Sequence, residues 1–525
     1  MIFGGKYMGL RLFNTMGRSM QDFKSLKDGF VGFYGCGPTV YNYAHIGNLR
    51  AYVCWDILDR TLRFLGYNIK HVMNITDIGH LSGDDDDGED KMVKQAAERH
   101  SSVLEIAKFY TDAFMADIDA LNIRHPDVIC KATEHVGDMI ELIKQIEANG
   151  HTYMAGGNLY YDITTYEDYG KLANLQLDEL KAGAGKRNVV VVDENKRNPH
   201  DFVLWFTKSK FENQALTWDS PWGRGYPGWH IECSAMSMKY LGRHFDIHTG
   251  GIDHVPIHHT NEIAQSEGSF SDDERKEGPW VNYWMHNEFL ILEGGKMSKS
   301  SGHFITLQTP LPEEKGYSLK SKGFEPLDYR FFLLGGHYRK PLVFSVEAME
   351  SAKNSRSALI QRIAKVLKAS DYKAESAKAG AQEVIPLEKA RQGLSDKALS
   401  LLEDFAKAVE IDLATPKALS LLQKAVKDTA MDAKEIVTLI KVMDSVLGLR
   451  LIETASEALK AQKEASPVNA HEGDEEAPLI EELIKQRKEA KKAKDFARAD
   501  AIREELIAKG IEIIDTPSGT VWSRK

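Results

Sequence analysis

The chain has 525 residues, enough for three or four domains and a substantial catalytic core. It is 42% hydrophobic and 27% charged, the composition of an ordinary soluble protein, and no apolar run is long enough to span a bilayer. A net charge of −10 argues against a globally basic nucleic-acid coat protein, though not against a local basic face.

Cys36, Cys54, Cys130 and Cys233 are the four cysteines. So few thiols in so long a chain speak against a disulfide framework and for free thiols or metal ligation. The opening MIFGGKYMGLRLFNTM lacks the apolar core of a signal peptide, so a cytoplasmic location is the default expectation.

The stretch GFVGFYG at Gly29–Gly35 reads as a buried strand, with Cys36 at its carboxyl end. Leu49, Val53, Ile57, Leu58, Leu62 and Leu65 recur at helical spacing, Gly66 stops the helix, and IKHVMNIT at Ile69–Thr76 returns as a strand. A strand–helix–strand unit opens a doubly wound parallel sheet of the α/β, Rossmann-like class, in which ligands bind at the carboxyl ends of strands. Cys36, His45, Thr76 and Asp77 fall at those ends. His45–Asn48 (HIGN) opens the long helix, whose N-terminus offers amide groups and positive dipole to phosphate. Gly47 would let a nucleotide approach the backbone. Taken alone, the string is also compatible with an ordinary helix entry.

An acidic run lies within 81–90 and reads as a solvated loop. Residues 125–200 read as an insertion between two halves of the sheet, and sheet character resumes at Phe202–Phe206. The stretch from Gly228 to Glu262 is the densest in chemistry. It carries Cys233, the Gly250–Gly251 pair, and His258 and Glu262 at i and i+4 on one helix face. Thiolate, imidazole and carboxylate are the ligand types zinc accepts, although a lone His–Glu pair is more often a surface contact. GGKMSKS at Gly294–Ser300 reads as a basic loop able to close over a triphosphate, with Lys296 and Lys299 neutralising charge.

Long amphipathic helices follow from about 344 to 454 and suggest a bundle. Residues 457–476 read as a tether, and 477–525 as a small module with a basic helix and an interleaved Phe496, a pattern that fits single-stranded RNA. The expected organisation is a catalytic first half (1–124), the insertion (125–200), a catalytic second half with the basic loop (201–305), a stem-contact region (306–350), the bundle (351–456), the tether and the terminal module.

HIGN and KMSKS, in that order and flanking an insertion, resemble the signatures of class I aminoacyl-tRNA synthetases. CGPTVY, NITDIGH, GWHIECSAM, GGIDHVPIHHTNEIAQSE and the terminal KAKDFARADAIREEL and GIEIIDTPSGTVWSRK resemble the cysteinyl-tRNA synthetase family in particular. The resemblance runs from about Leu12 to Lys525. It implies an enzyme that activates L-cysteine with ATP and Mg²⁺ and transfers it to tRNA(Cys), acting as a monomer away from membranes. It implies zinc ligands at Cys36, Cys233, His258 and Glu262, with the substrate thiolate as an added ligand. It places catalytic residues at His45, Asn48, Lys296 and Lys299, and ATP contacts at Gly47, Gly250, Gly251, Asp253 and Lys299. Thr76 and Trp229 map to the cysteine pocket, and Lys491, Phe496, Asp500 and Asp515 to tRNA contacts. Asn48 stands where the motif usually has its final histidine. An ATP-dependent cysteine ligase with an amino-sugar acceptor is the alternative, and the bundle and terminal module argue for tRNA.

Overall fold

The computed structural model describes residues 9–78, 102–175, 194–208, 216–292, 304–372, 383–465, 476–493, 495–516 and 519–524. The acidic run within 81–90 and the whole of GGKMSKS, with Lys296 and Lys299, lie outside them. The chain divides into two compact units, Met1–Thr454 and Ala455–Lys525.

The first unit is built on five strands, Phe30–Gly35, Asn68–Ile75, Val128–Lys131, Phe245–Gly251 and Val281–Asn287. Every neighbouring pair is parallel. The spatial order is Val281–Asn287, Phe245–Gly251, Phe30–Gly35, Asn68–Ile75, Val128–Lys131. This is the doubly wound order, and it reverses direction between the Phe30–Gly35 and Phe245–Gly251 strands. Val31, Phe33, Tyr34, Val72, Ile75 and Ile247 are wholly enclosed, as strands covered on both faces require.

The first crossover contains the helix Ile46–Phe64. Leu49, Val53, Ile57, Leu58 and Leu62 form its buried stripe, and Gly66, at φ +93°, turns the chain out of it. The helices Trp229–Leu241 and His258–Gly268 sit on either side of the Phe245–Gly251 strand in sequence and pack against each other.

Phe202–Phe206 is a strand, but it does not reopen the parallel sheet. It pairs antiparallel with Asn158–Tyr161 and with Tyr226–Pro227 in a separate four-stranded sheet. Its unbroken apolar run reads like an interior parallel strand because all five residues are buried here as well. The helices Val346–Ala369, Asp396–Glu410, Thr415–Lys427 and Ala433–Leu447 pack together as a bundle within the first unit. The next helix runs Leu451–Ala465, so the start of the stretch read as a tether is helical, as its Ala, Glu and Lys content favours.

In the second unit the helices Ala477–Lys492 and Phe496–Ala508 pack on the hairpin Ile511–Thr516 and Gly519–Arg524. Ile480, Ile502, Leu506, Ile511 and Trp522 form its own small core. No helix among the described residues is long and apolar enough to cross a membrane.

Candidate active site

A cavity of about 430 Å³ opens where the strand order reverses. It is lined by Cys36, His45, Gly47, Asn48, Thr76, Trp229, Cys233, Gly250, Gly251, Asp253 and His258, among others. Sequence positions more than 200 residues apart thus meet at the carboxyl edge of the sheet. Gly37 makes the approach possible. A Cβ there would fall 1.6 Å from the carbonyl oxygen of Asn74, so any side chain would push the Cys36 turn off the neighbouring strand. Gly250 is equally constrained, since a Cβ would sit 2.6 Å from the rings of His254 and His259.

One donor atom each from Cys36, Cys233, His258 and Glu262 lies within 4.8 Å of the other three. Two sulfurs, one imidazole and one carboxylate make a donor set suited to zinc. The local geometry points the same way. His258 Nε2 lies 2.7 Å from Glu262 Oε1, yet among the described residues no donor is aligned with that buried oxygen. A cation shared between the two would satisfy it. Burial and the hydrogen bond to Cys233 raise the Cys36 thiol, while that same bond, against the opposing effect of burial, holds Cys233 below its ordinary value. Burial disfavours a charged His258, but Glu262 and Cys233 outweigh it and raise the imidazole to about 10. Burial likewise opposes ionisation of Glu262, which His258 and His248 hold down at about 2. The protonated His258 ring thus carries the positive charge that the Glu262 carboxylate and the Cys233 sulfur favour at this place.

Around it stands a set of histidines that the spacing of the four ligands does not announce. His248 Nε2 contacts Glu262 Oε2 at 2.7 Å. His259 Nε2 contacts the Cys36 sulfur at 3.3 Å, its Nδ1 meets His286 Nε2 at 2.7 Å, and His286 Nδ1 meets Thr15 Oγ1 at 2.7 Å. His230 Nδ1 lies 2.9 Å from His258 Nδ1. Burial keeps His259 and His286 neutral, so each ring can donate through one nitrogen and accept through the other. Cys36, His248, His259 and Glu262 also converge within 4.8 Å, sharing two members with the first group. The available signal was density. Seven of the 18 histidines fall between His230 and His286.

His45 is the N-cap of the long helix, and Asn48 is its third residue. The Asn48 amide donates to His45 Nδ1 at 3.1 Å, and the His45 amide donates to Asn48 Oδ1 at 3.2 Å. This reciprocal capping box gives the asparagine a structural task at the position where histidine is usual. Thr76 and Trp229 both line the cavity. Thr76 Oγ1 donates to Glu232 Oε2 at 2.7 Å and accepts from Asn74 Nδ2 at 3.1 Å, while the Trp229 ring packs 4.4 Å from His258. Lys491, Phe496 and Asp500 are exposed on the helices of the second unit, and Asp515 is in its first strand, paired with Thr520.

Residues 22–354 match the family described as the tRNA synthetases class I (C) catalytic domain. The chain is 55% identical over 518 residues to the cysteine–tRNA ligase of Treponema denticola, covering 98% of this chain and 100% of that protein. It is 44% identical over 535 residues to that of Treponema pallidum, with the same coverage, and 42% identical over 517 residues to that of Novosphingobium aromaticivorans, with 98% and 97% covered. Among solved structures, Mycobacterium tuberculosis methionyl-tRNA synthetase in complex with methionyl-adenylate superimposes with a TM-score of 0.51 at 15% identity, over 82% of this chain and 93% of that one. That likeness supports the fold, and the identities along nearly the full chain establish the kinship. The chain belongs to the cysteine–tRNA ligase family of class I tRNA synthetases.

Proposed function

We propose that the chain joins L-cysteine to ATP, giving cysteinyl-adenylate and pyrophosphate, and then transfers the cysteinyl group to tRNA(Cys). The observation that carries this reading is the thiol, imidazole and carboxylate cluster, whose Cys36, Cys233 and His258 line a cavity that a helix N-terminus also lines. Cys36, Cys233, His258 and Glu262 would hold zinc. Zinc bound there would supply a soft Lewis acid that prefers a thiolate to a hydroxyl. His248 and His259 keep Glu262 and Cys36 oriented for that task. Thr76 and Trp229 flank the amino acid, and Gly250, Gly251 and Asp253 face the adenosine.

The cysteine carboxylate oxygen attacks the α-phosphorus of Mg²⁺-bound ATP, and the bond to the β-phosphate oxygen breaks. No side chain becomes a covalent nucleophile. His45 and Asn48, at the helix N-terminus with Gly47 between them, and Lys296 and Lys299 stabilise the charge on the phosphates. A ribose hydroxyl of the tRNA then attacks the carbonyl carbon and AMP departs. Lys491, Phe496, Asp500 and Asp515 contact the tRNA. The protein works as a cytoplasmic monomer.

Zinc-loaded protein should charge total tRNA with labelled cysteine and not with serine. Cysteine-dependent exchange of pyrophosphate into ATP without any charging would sink the tRNA half of the reading and favour a different acceptor.

A further inference from the structure

Besides the cysteine and histidine cluster, two stretches from distant parts of the chain wall the cavity. One is the N-terminal end of the long helix, with Gly47, Asn48 and Ala51, and the other is the segment Asn287, Glu288, Phe289 and Leu290. Arg50 lies on that helix, two residues beyond Asn48, and is 2% exposed. Among the described residues its guanidinium pairs with no carboxylate. It donates instead to main-chain carbonyls of Phe289, His337, Tyr338 and Lys340.

Two of those carbonyls are shared. The Phe289 oxygen also accepts from the Leu342 amide at 3.1 Å, and the Tyr338 oxygen from the Glu288 amide at 2.8 Å. The planar fork therefore ties the second wall and the 337–342 segment into one knot, and fastens that knot to the helix that carries His45. We propose that Arg50 is a positioning residue that sets the spacing of the two walls around the nucleotide. A buried cation is costly without partners, and a carboxylate would satisfy it with fewer bonds. Carbonyls leave the geometry dependent on the fork, whose directions a lysine ammonium cannot reproduce. A wall displaced by an ångström degrades the alignment of reacting groups far more than it weakens binding. This inference rests on the adenylate-forming reading of the site.

The test compares Arg50→Lys and Arg50→Gln in zinc-loaded full-length protein. Arg356→Lys serves as the control, since Arg356 is also buried but pairs with Asp328 away from the cavity. Both Arg50 variants should lower kcat for cysteine-dependent pyrophosphate exchange by about tenfold or more, with cysteine KM and zinc content unchanged. Full activity in Arg50→Lys would show that charge matters rather than the fork, and would overturn the proposal. So would an equal loss in Arg356→Lys. A measurement on the unaltered protein covers variants that fail to fold. The amides of Glu288 and Leu342 should resist hydrogen exchange as strongly as those of the Phe245–Gly251 strand, and rapid exchange there would overturn the proposal. Absence of any exchange activity in the unaltered protein would instead refute the adenylate reading and leave the amide result to judge Arg50.

Discussion

His248 Nε2, on a strand of the parallel sheet, holds Glu262 Oε2, on the helix that follows, at 2.7 Å. One oxygen of the carboxylate is thus fixed by the sheet while the other faces His258. A carboxylate so fixed has lost its rotational freedom before any metal arrives. His248→Ala should weaken zinc binding by about 10- to 100-fold, the usual effect of removing a partner that orients a ligand. Competition against a chromophoric chelator measures this directly. Unchanged affinity would mean that His258 alone orients Glu262.

Stripping the metal tests the selectivity argument. Chelated protein should lose cysteine-dependent pyrophosphate exchange and should not gain activity with serine. Recognition of a polar substrate group by a matched site can discriminate on the order of 10⁴–10⁵. Cys233→Ser, which removes one of the two sulfurs, should show the same loss together with a reduced zinc content. Cysteine affinity that survives metal removal would assign the cluster a purely structural task.

Asn48 separates stability from catalysis. Its side chain accepts from the His45 amide, so Asn48→Ala should cost about 1 kcal/mol, the ordinary value of a lost cap. Asn48→Asp keeps an acceptor in place and adds negative charge at the helix N-terminus, where it stabilises the helix. The same charge opposes the triphosphate. Asn48→Asp should therefore retain the thermal midpoint and raise the KM for ATP. Equal ATP kinetics in the two proteins would place the phosphates elsewhere.

Asp117 gives a pH signature independent of the site. Burial raises its carboxyl to about 6, against a weak hydrogen bond from Gln308. Its folded value exceeds the unfolded one. It therefore contributes stability in the protonated form, fully below about pH 4, and that contribution is lost as the pH rises through about 6. Asp117→Asn cannot ionise and keeps an acceptor for Gln308. The variant should be more stable than the parent at pH 8, by about 3 kcal/mol, and the gap should close near pH 4. Denaturant midpoints at the two pH values check the sign. A gap that widens on acidification would contradict it.

Cys36, Cys233 and the His258–Glu262 pair stood out by residue type, but it was the resemblance to the cysteinyl-tRNA synthetase family that joined them into one proposed zinc set. A thiol at a strand end and a His–Glu pair at i and i+4 can be noticed without knowing what they face. Their company was not legible. His248 reads as one residue of a short strand, and His286 contacts His259 only because the Val281–Asn287 and Phe245–Gly251 strands are neighbours. Nothing in the sequence singles out Arg50, because its carbonyl partner at Lys340 lies 290 residues further along the chain. Phe202–Phe206 was recognisable as a buried strand, but the choice of partner is not encoded in its apolar run. Periodicity reports burial, whereas pairing depends on the order in which the chain returns to the sheet.

The second unit carries the remaining prediction. Phe496 is 62% exposed at the first turn of its helix, and Asp500 stands one turn along on the same face, also exposed. The core of the unit is made by other residues, Ile480, Ile502, Leu506, Ile511 and Trp522, so Phe496 is not held out by a packing need. An exposed aromatic beside a hydrogen-bonding side chain suits an unstacked base, with stacking worth about 1–3 kcal/mol. Phe496→Ala should raise the KM for tRNA roughly 5- to 100-fold and leave cysteine-dependent pyrophosphate exchange untouched. Trp522→Ala should behave differently, because it opens the small core and unfolds the unit. Loss of exchange activity in Phe496→Ala would show that the residue acts on the catalytic unit instead of on the RNA.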